Sequence, residues 1–288
     1  MRTRSMISFD WAMKRLLRNK ANFDVLEGFL SELLRRKIII KYIGESESNK
    51  TDKDDKANVV DILVEADDRE LVIVELQYFG EDEYFHRMLY GASKTITDHI
   101  SKGDSYSNVR KVYAISIVYF DLGAGDDYVY HGFTNFKGLH TQSELHLNSE
   151  QRQLYNKTFI GELYPEYYII KVKNFDDVAK NTLDEWIYYL KNNRIRDDFT
   201  AKGMDRAREI LAFDSLSDEE KKQYAREIDA RLHRDAEIRT ALNKGRTEEK
   251  EQVAVNAFRM GLTIENIVTL TDLTIEQVTE ILKRHGLM

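Results

Sequence analysis

Cysteine is absent from this chain of 288 residues, so the sequence excludes disulfide bonds and thiolate metal sites. It also lacks any run of about 18 apolar residues, and no membrane-spanning helix is therefore expected. Arg2 and Arg4 are not followed by a long apolar segment, so a secretory signal peptide is not expected either. These absences predict a cytoplasmic protein that does not bind a membrane.

Several motifs of common enzyme sites are also missing. No G-x-G-x-x-G follows a predicted strand, and the sequence contains no Walker A motif, no G-x-S-x-G and no H-E-x-x-H. The seven histidines show no paired spacing typical of a metal site. The sequence therefore gives no support for a dinucleotide site, a P-loop, a serine nucleophile or a zinc-peptidase site.

Charge is distributed unevenly along the chain. The net charge of −7 argues against a protein that coats nucleic acid nonspecifically, but it allows local basic patches. Residues 1–42 contain ten Lys or Arg and four acidic residues, an excess of six positive charges. This segment is either a surface that faces phosphate groups or a set of solvated helix faces.

The most informative stretch is residues 58–77, NVVDILVEADDRELVIVELQ. Two β-branched apolar runs flank an acidic turn, a pattern that predicts two buried central strands joined as a hairpin. A hairpin centred on Asp68 places Asp61 opposite Glu75. Strand alternation places Gln77 on the same face as Glu75.

This predicted pair of carboxylates has two interpretations. Opposed side chains on neighbouring strands have Cβ atoms only ~4.5–5.5 Å apart, so two carboxylates there repel each other. Neither apolar run contains Lys or Arg, and a divalent cation such as Mg²⁺ would neutralise the pair. Alternatively, the hairpin ends at the surface and both carboxylates are hydrated.

The pattern D-x(13)-E-x-Q on a hairpin resembles the PD-(D/E)XK nuclease superfamily. The preceding segments FDWAMKRLL (9–17) and VLEGFLSELL (25–34) resemble the opening of one branch, the recombination-promoting nuclease (Rpn) and PD-(D/E)XK transposase-like family, which commonly carries E-x-Q. RMLYGASK resembles the R-x-x-Y-Y segment of that family at Arg87 and Tyr90, with Gly91 in place of the second Tyr. GDSY (103–106) matches its G-x-x-Y.

The resemblance implies an α/β (α+β) restriction-endonuclease-like core, with a central mixed β-sheet flanked by helices. It also implies a DNA endonuclease that depends on Mg²⁺, or on Mn²⁺ as a substitute. Asp61, Glu75 and the carbonyl of Leu76 would bind the cation, which would lower the pKa of a bound water and stabilise charge on the scissile phosphate. Gln77 would orient the water or contact the phosphate. The residues implied as supporting or DNA-contacting are Asp10, Lys14, Arg87, Tyr90 and Lys94.

Two alternatives stay open at this point. One is a catalytically inactive DNA-binding or interaction protein on the same fold, because Gln77 replaces the usual lysine. The other is a structural α+β domain whose hairpin carboxylates are simply solvated.

The pattern of elements predicts a nuclease-like domain over residues 1–200 and a helical region over 201–288. Later strands are predicted at 111–120, 128–133 and 167–172. Capping boxes at Ser217–Glu220 and Thr274–Gln277 predict helices in the C-terminal region. Its tail resembles a helix-turn-helix, which favours packing or homo-oligomer formation over base reading.

Overall fold

The computed structural model describes residues 6–15, 17, 19–44, 62–66 and 69–288. The chain forms two compact units, one that ends at Lys221 and one that begins at Lys222. The first unit extends beyond the predicted boundary at residue 200, because the segment around Leu211 packs within it. The backbone N–H of Ile7 donates to the carbonyl of Leu211 at 2.9 Å, and Leu211 is fully buried.

A mixed sheet of six described strands organises the first unit, in the order β1-β2-β3-β4-β6-β5. Strands β3, β4 and β6 are parallel, and the other neighbouring pairs are antiparallel. The predicted mixed sheet with flanking helices is therefore confirmed. The strands are β1 (Ile40–Gly44), β2 (Ile62–Ala66), β3 (Leu71–Gln77), β4 (Val112–Val118), β5 (Val129–Gly132) and β6 (Glu166–Lys171).

Nine α-helices lie in the part of the chain that the structure describes. Five belong to the sheet-containing unit before residue 200: α1 (Phe9–Arg15), α2 (Phe23–Leu34), α3 (Tyr84–Asp98), α4 (Ser149–Tyr155) and α5 (Thr182–Asn192). The remaining four are α6 (Met204–Ile210), α7 (Asp218–Arg259), α8 (Ile264–Thr271) and α9 (Ile275–Arg284). None of these described helices is long and apolar enough to cross a membrane.

Helix α3 covers one face of the sheet. It connects the parallel strands β3 and β4, which need a crossover connection because their carboxyl ends lie at the same edge. Its Ala92 packs with Leu71 and Ile73 of β3 and with Val112 and Ala114 of β4. The side chains of alternate residues on β3 and β4 therefore face α3.

The opposite face is covered by α1, α2 and α5. Their aromatic side chains form one cluster, in which the ring centroids of Phe9 and Phe29 are 5.4 Å apart and those of Phe29 and Trp186 are 5.9 Å apart. Arg36, which follows α2, lies over the ring of Tyr113 at 5.4 Å. Tyr113 alternates with the α3-facing residues of β4, so this layer lies on the other side of the sheet.

The second unit has a small core of its own. The end of α7 packs with α8 and α9. Thr263 caps α8, and Thr274 caps α9 through the predicted capping box with Gln277. The middle of α7 is exposed and highly charged. The buried residues of this core are Ala254, Val255, Ala257, Ile267, Val278, Ile281 and Leu282.

Candidate active site

The β2–β3 hairpin has the predicted register. Ile62 pairs with Val74 and Leu63 pairs with Ile73, so the hairpin is centred on position 68. Only four residues separate β2 from β3, and such a short connection restricts the register of a hairpin. Asp61 lies outside the described residues, one position before β2.

Glu75 and Gln77 lie at the carboxyl end of β3. In the parallel register Glu75 is level with Ser116 of β4, and Gln77 is level with Val118. Both alternate with Val74 and Leu76, so they share the α3-facing side of the strand with Ile73. The predicted common face of Glu75 and Gln77 is therefore confirmed.

Glu75 is paired with a cation from the helix that follows it. The guanidinium Nη2 of Arg87 lies 2.5 Å from Oε1 of Glu75, and the two side chains are 31% and 13% exposed. Nη1 of Arg87 lies 2.9 Å from Oε2 of Glu81. Burial lowers the pKa of Arg87, but Glu75 and Glu81 outweigh it, so the pKa rises above its ordinary value. Arg87 therefore remains charged.

This ion pair was not predicted from the sequence. Neither apolar run contains Lys or Arg, and the cation comes instead from the first turns of α3. Arg87 lies in the helix that must cross back over the end of β3 to reach the parallel strand β4. This position is the signal from which the ion pair could have been predicted. A buried carboxylate here therefore has a neutralising partner within the chain.

The backbone of β3 points the carbonyl of Leu76 away from β4. The N–H of Leu71 donates to the carbonyl of Lys111, and the N–H of Tyr119 donates to the carbonyl of Gln77, both at 2.9 Å. Odd-numbered residues of β3 thus bond to β4, and the carbonyl of Leu76 faces the β2 side. It therefore points toward the strand that Asp61 precedes in sequence.

A comparison with models of known protein families matches residues 7–241 to the PD-(D/E)XK nuclease family transposase. The chain belongs to this family. The matched range includes the entire described sheet and most of α7, so the resemblance predicted from the sequence motifs is confirmed. No curated protein and no solved structure matches the sequence significantly. Membership of the PD-(D/E)XK family supports a nuclease-like or transposase-like role.

The other residues suggested by the family resemblance are more dispersed. Asp10 and Lys14 form an ion pair with each other at 2.7 Å on α1, which packs with α2 and α5. Tyr90 is 37% exposed on α3, and Lys94 lies 3.0 Å from Asp98 one turn further along. The structure thus brings together Glu75, Gln77 and Arg87. The places of Asp10, Lys14, Tyr90 and Lys94 in the site stay predictions.

PD-(D/E)XK nucleases generally use divalent metals, and the donor atoms found here suit such ions. Glu75 provides a carboxylate, and the carbonyl of Leu76 faces the β2 side of the same strand. Both are oxygen donors of the kind that Mg²⁺ and Mn²⁺ prefer. Within the described ranges, no three His, Cys, Asp or Glu side chains cluster in a metal-binding arrangement. The place of Asp61 in such a site stays a prediction, because this residue lies outside the described ranges.

Proposed function

We propose that this protein is a metal-dependent DNA endonuclease that hydrolyses phosphodiester bonds in the cytoplasm, in a transposase-like role. The observation that carries the proposal is the position of Glu75: a nearly buried carboxylate at the carboxyl end of β3, beside Leu76 and Gln77. The register of the β2–β3 hairpin supports Asp61 as its partner, since Ile62 is paired with Val74.

Asp61, Glu75 and the carbonyl of Leu76 would hold Mg²⁺, with Mn²⁺ as a substitute. When bound, the cation would stabilise charge on the scissile phosphate and lower the pKa of a water molecule. The partly buried position of Glu75 strengthens its attraction for a cation, because charges interact more strongly where water is scarce.

Gln77 would position the reactants. A carboxamide does not titrate near neutral pH, so Gln77 is not a general base. Its Oε1 can accept a hydrogen bond from the attacking water, and its Nε2 can donate to a phosphate oxygen. It shares the face of Glu75 and is partly exposed, which supports this role.

DNA would approach over α3. Arg87, Tyr90 and Lys94 lie on this helix at spacings of three and four residues, which places them on neighbouring turns. Arg and Lys bind phosphate oxygens through charge-assisted hydrogen bonds. These residues would hold the DNA backbone rather than read its bases.

Incubation of the purified protein with plasmid DNA tests this function directly. We expect nicked or linear DNA to appear with MgCl₂ or MnCl₂, and to be absent with EDTA or in Asp61→Ala. Tight DNA binding by a wild-type protein that cleaves with neither metal would instead identify the catalytically inactive DNA-binding protein. The replacement of the usual lysine by Gln77 is the observation that favours this second candidate.

Substitutions of Gln77 are expected to show that this residue orients the water or the phosphate and does not bind the metal. Gln77→Leu should slow cleavage by roughly 10²-fold or more, by analogy with the loss of one positioned hydrogen-bond donor. Gln77→Lys should retain activity, because an ammonium group can donate to the same oxygen. Cleavage rates on plasmid DNA measure the loss, and calorimetry should show unchanged metal affinity in Gln77→Leu, because no metal ligand has been removed. Full-rate cleavage by Gln77→Leu would show that Gln77 has no part in the reaction.

A further inference from the structure

Arg87 lies between two carboxylates that differ in their access to water. Its Nη2 is 2.5 Å from Glu75, whose side chain is 13% exposed, and its Nη1 is 2.9 Å from Glu81, whose side chain is 40% exposed. Glu75 is fixed on the central strand β3, whereas Glu81 lies in the connection that leads into α3. One guanidinium thus contacts both a strand residue and a surface residue.

Among the described residues, Arg87 places a positive charge next to the carboxylate of Glu75. A carboxylate shielded from water is costly unless it is paired, and Arg87 forms that pair across the layer between β3 and α3. A divalent cation bound to the same carboxylate would lie close to the guanidinium. Two positive groups on one carboxylate repel each other, so the guanidinium and the cation compete for Glu75.

Glu81 offers Arg87 a second position. The guanidinium presents several N–H donors in a planar fork, and it already donates to Glu81 while it contacts Glu75. If the contact with Glu75 breaks, the contact with Glu81 keeps the guanidinium paired at a more hydrated location. Release of Glu75 by Arg87 therefore costs less free energy than it would if the guanidinium had no second carboxylate to contact.

We propose that Arg87 is a positioning residue that holds Glu75 in the metal-free protein and releases it to the incoming cation by moving onto Glu81. Arg87 then weakens the binding of the cation to the site, and Glu81 strengthens it. Once on Glu81, the guanidinium faces the more exposed side of α3, where a DNA phosphate can reach it. This inference rests on the proposed metal-dependent function.

Calorimetric titration of the full-length protein with MnCl₂ alone tests the exchange. Arg87→Met removes the competitor, so we expect roughly tenfold tighter Mn²⁺ binding, together with a lower melting temperature of the metal-free protein. Glu81→Gln removes the second position, so we expect Mn²⁺ to bind several-fold more weakly. Arg110→Met is the matched control: it removes a cation paired with Glu65 at 3.2 Å and should leave Mn²⁺ affinity unchanged.

Two outcomes would contradict the proposed movement of Arg87 from Glu75 to Glu81. One is Mn²⁺ binding by folded Arg87→Met that is no tighter than in the wild type. The other is Mn²⁺ binding by Glu81→Gln that is as tight as in the wild type or tighter, and this result decides the question if Arg87→Met does not fold. Glu75→Gln distinguishes the two proposals, because its loss of Mn²⁺ binding would uphold the metal site even if the exchange fails. Unchanged Mn²⁺ binding in Glu75→Gln would defeat both.

Discussion

Glu75→Gln is expected to abolish both Mg²⁺ binding and DNA cleavage. The change keeps the shape of the side chain but replaces a charged ligand with a neutral amide, while Arg87 keeps its contact with Glu81. We expect the cleavage rate to fall by at least about 10³-fold, the upper range for loss of one electrostatic stabiliser of a transition state. Gel quantification of plasmid cleavage and calorimetry with MgCl₂ measure the two losses.

A matched control lies on the same hairpin. Glu65 of β2 is a more exposed carboxylate that also has an arginine partner, since Arg110 lies 3.2 Å away. It pairs with Leu71 at the opposite end of the hairpin from Glu75. Glu65→Gln should therefore cleave DNA at the wild-type rate. Cleavage by Glu75→Gln at that same rate would remove Glu75 from the active site.

The largest expected loss of stability comes from Glu166, at the start of β6. Its Oε1 accepts a hydrogen bond from Nζ of Lys111 at 2.7 Å, and its Oε2 lies 2.8 Å from Nε2 of His131. Glu166→Leu leaves Lys111 buried without its carboxylate. Removal of one partner from a buried ion pair typically lowers the free energy of unfolding by about 3–5 kcal/mol.

Chemical denaturation at neutral pH measures this loss, and the double variant Lys111→Met/Glu166→Leu provides the control. Burial lowers the pKa of Lys111 despite the attraction of Glu166, so the carboxylate only partly offsets the cost of burying this charge. The double variant should therefore recover most of the stability. A loss below about 1 kcal/mol in Glu166→Leu would mean that water hydrates Lys111.

The ion pair of Glu166 with Lys111 also predicts that the free energy of unfolding depends on pH. Burial raises the pKa of Glu166, but its hydrogen bonds with Lys111 and His131 outweigh burial and bring the pKa below the ordinary value of 4.5. A carboxylate with a lowered pKa contributes stability above its ordinary value, and this contribution disappears as the pH falls through the lowered value. The difference in stability between wild type and Glu166→Leu should therefore narrow below pH 4.5.

The sequence predicted those parts of the fold that rest on local pattern. The β-branched runs at 58–65 and 71–77, together with the short acidic turn between them, were sufficient for the hairpin register, because a short turn restricts the possible pairings. The helical spacing of Leu26, Leu30 and Leu33 is a local signal of the same kind, and all three are buried on α2. These signals lie within a few residues of one another, so they can be read without knowledge of the tertiary structure.

Features that depend on contacts between distant segments were not predicted. The pairing of Arg87 with Glu75 depends on where α3 crosses the sheet, and the pairing of Lys111 with Glu166 depends on the alignment of β4 with β6. The full extent of α7 was also missed. It continues through Gly245 along an exposed stretch, where no apolar periodicity marks a helix.

The position of β4 between β3 and β6 has a consequence for synthesis of the chain on the ribosome. β4 can pair with β3 as soon as it emerges, but its other neighbour ends only at Lys171. Until then β4 has an unpaired edge rich in apolar residues, including Ile115 and Ile117. Such edges can pair with other chains, and sheets built from distant segments form slowly. The nascent protein is thus most prone to aggregation between the synthesis of β4 and that of β6.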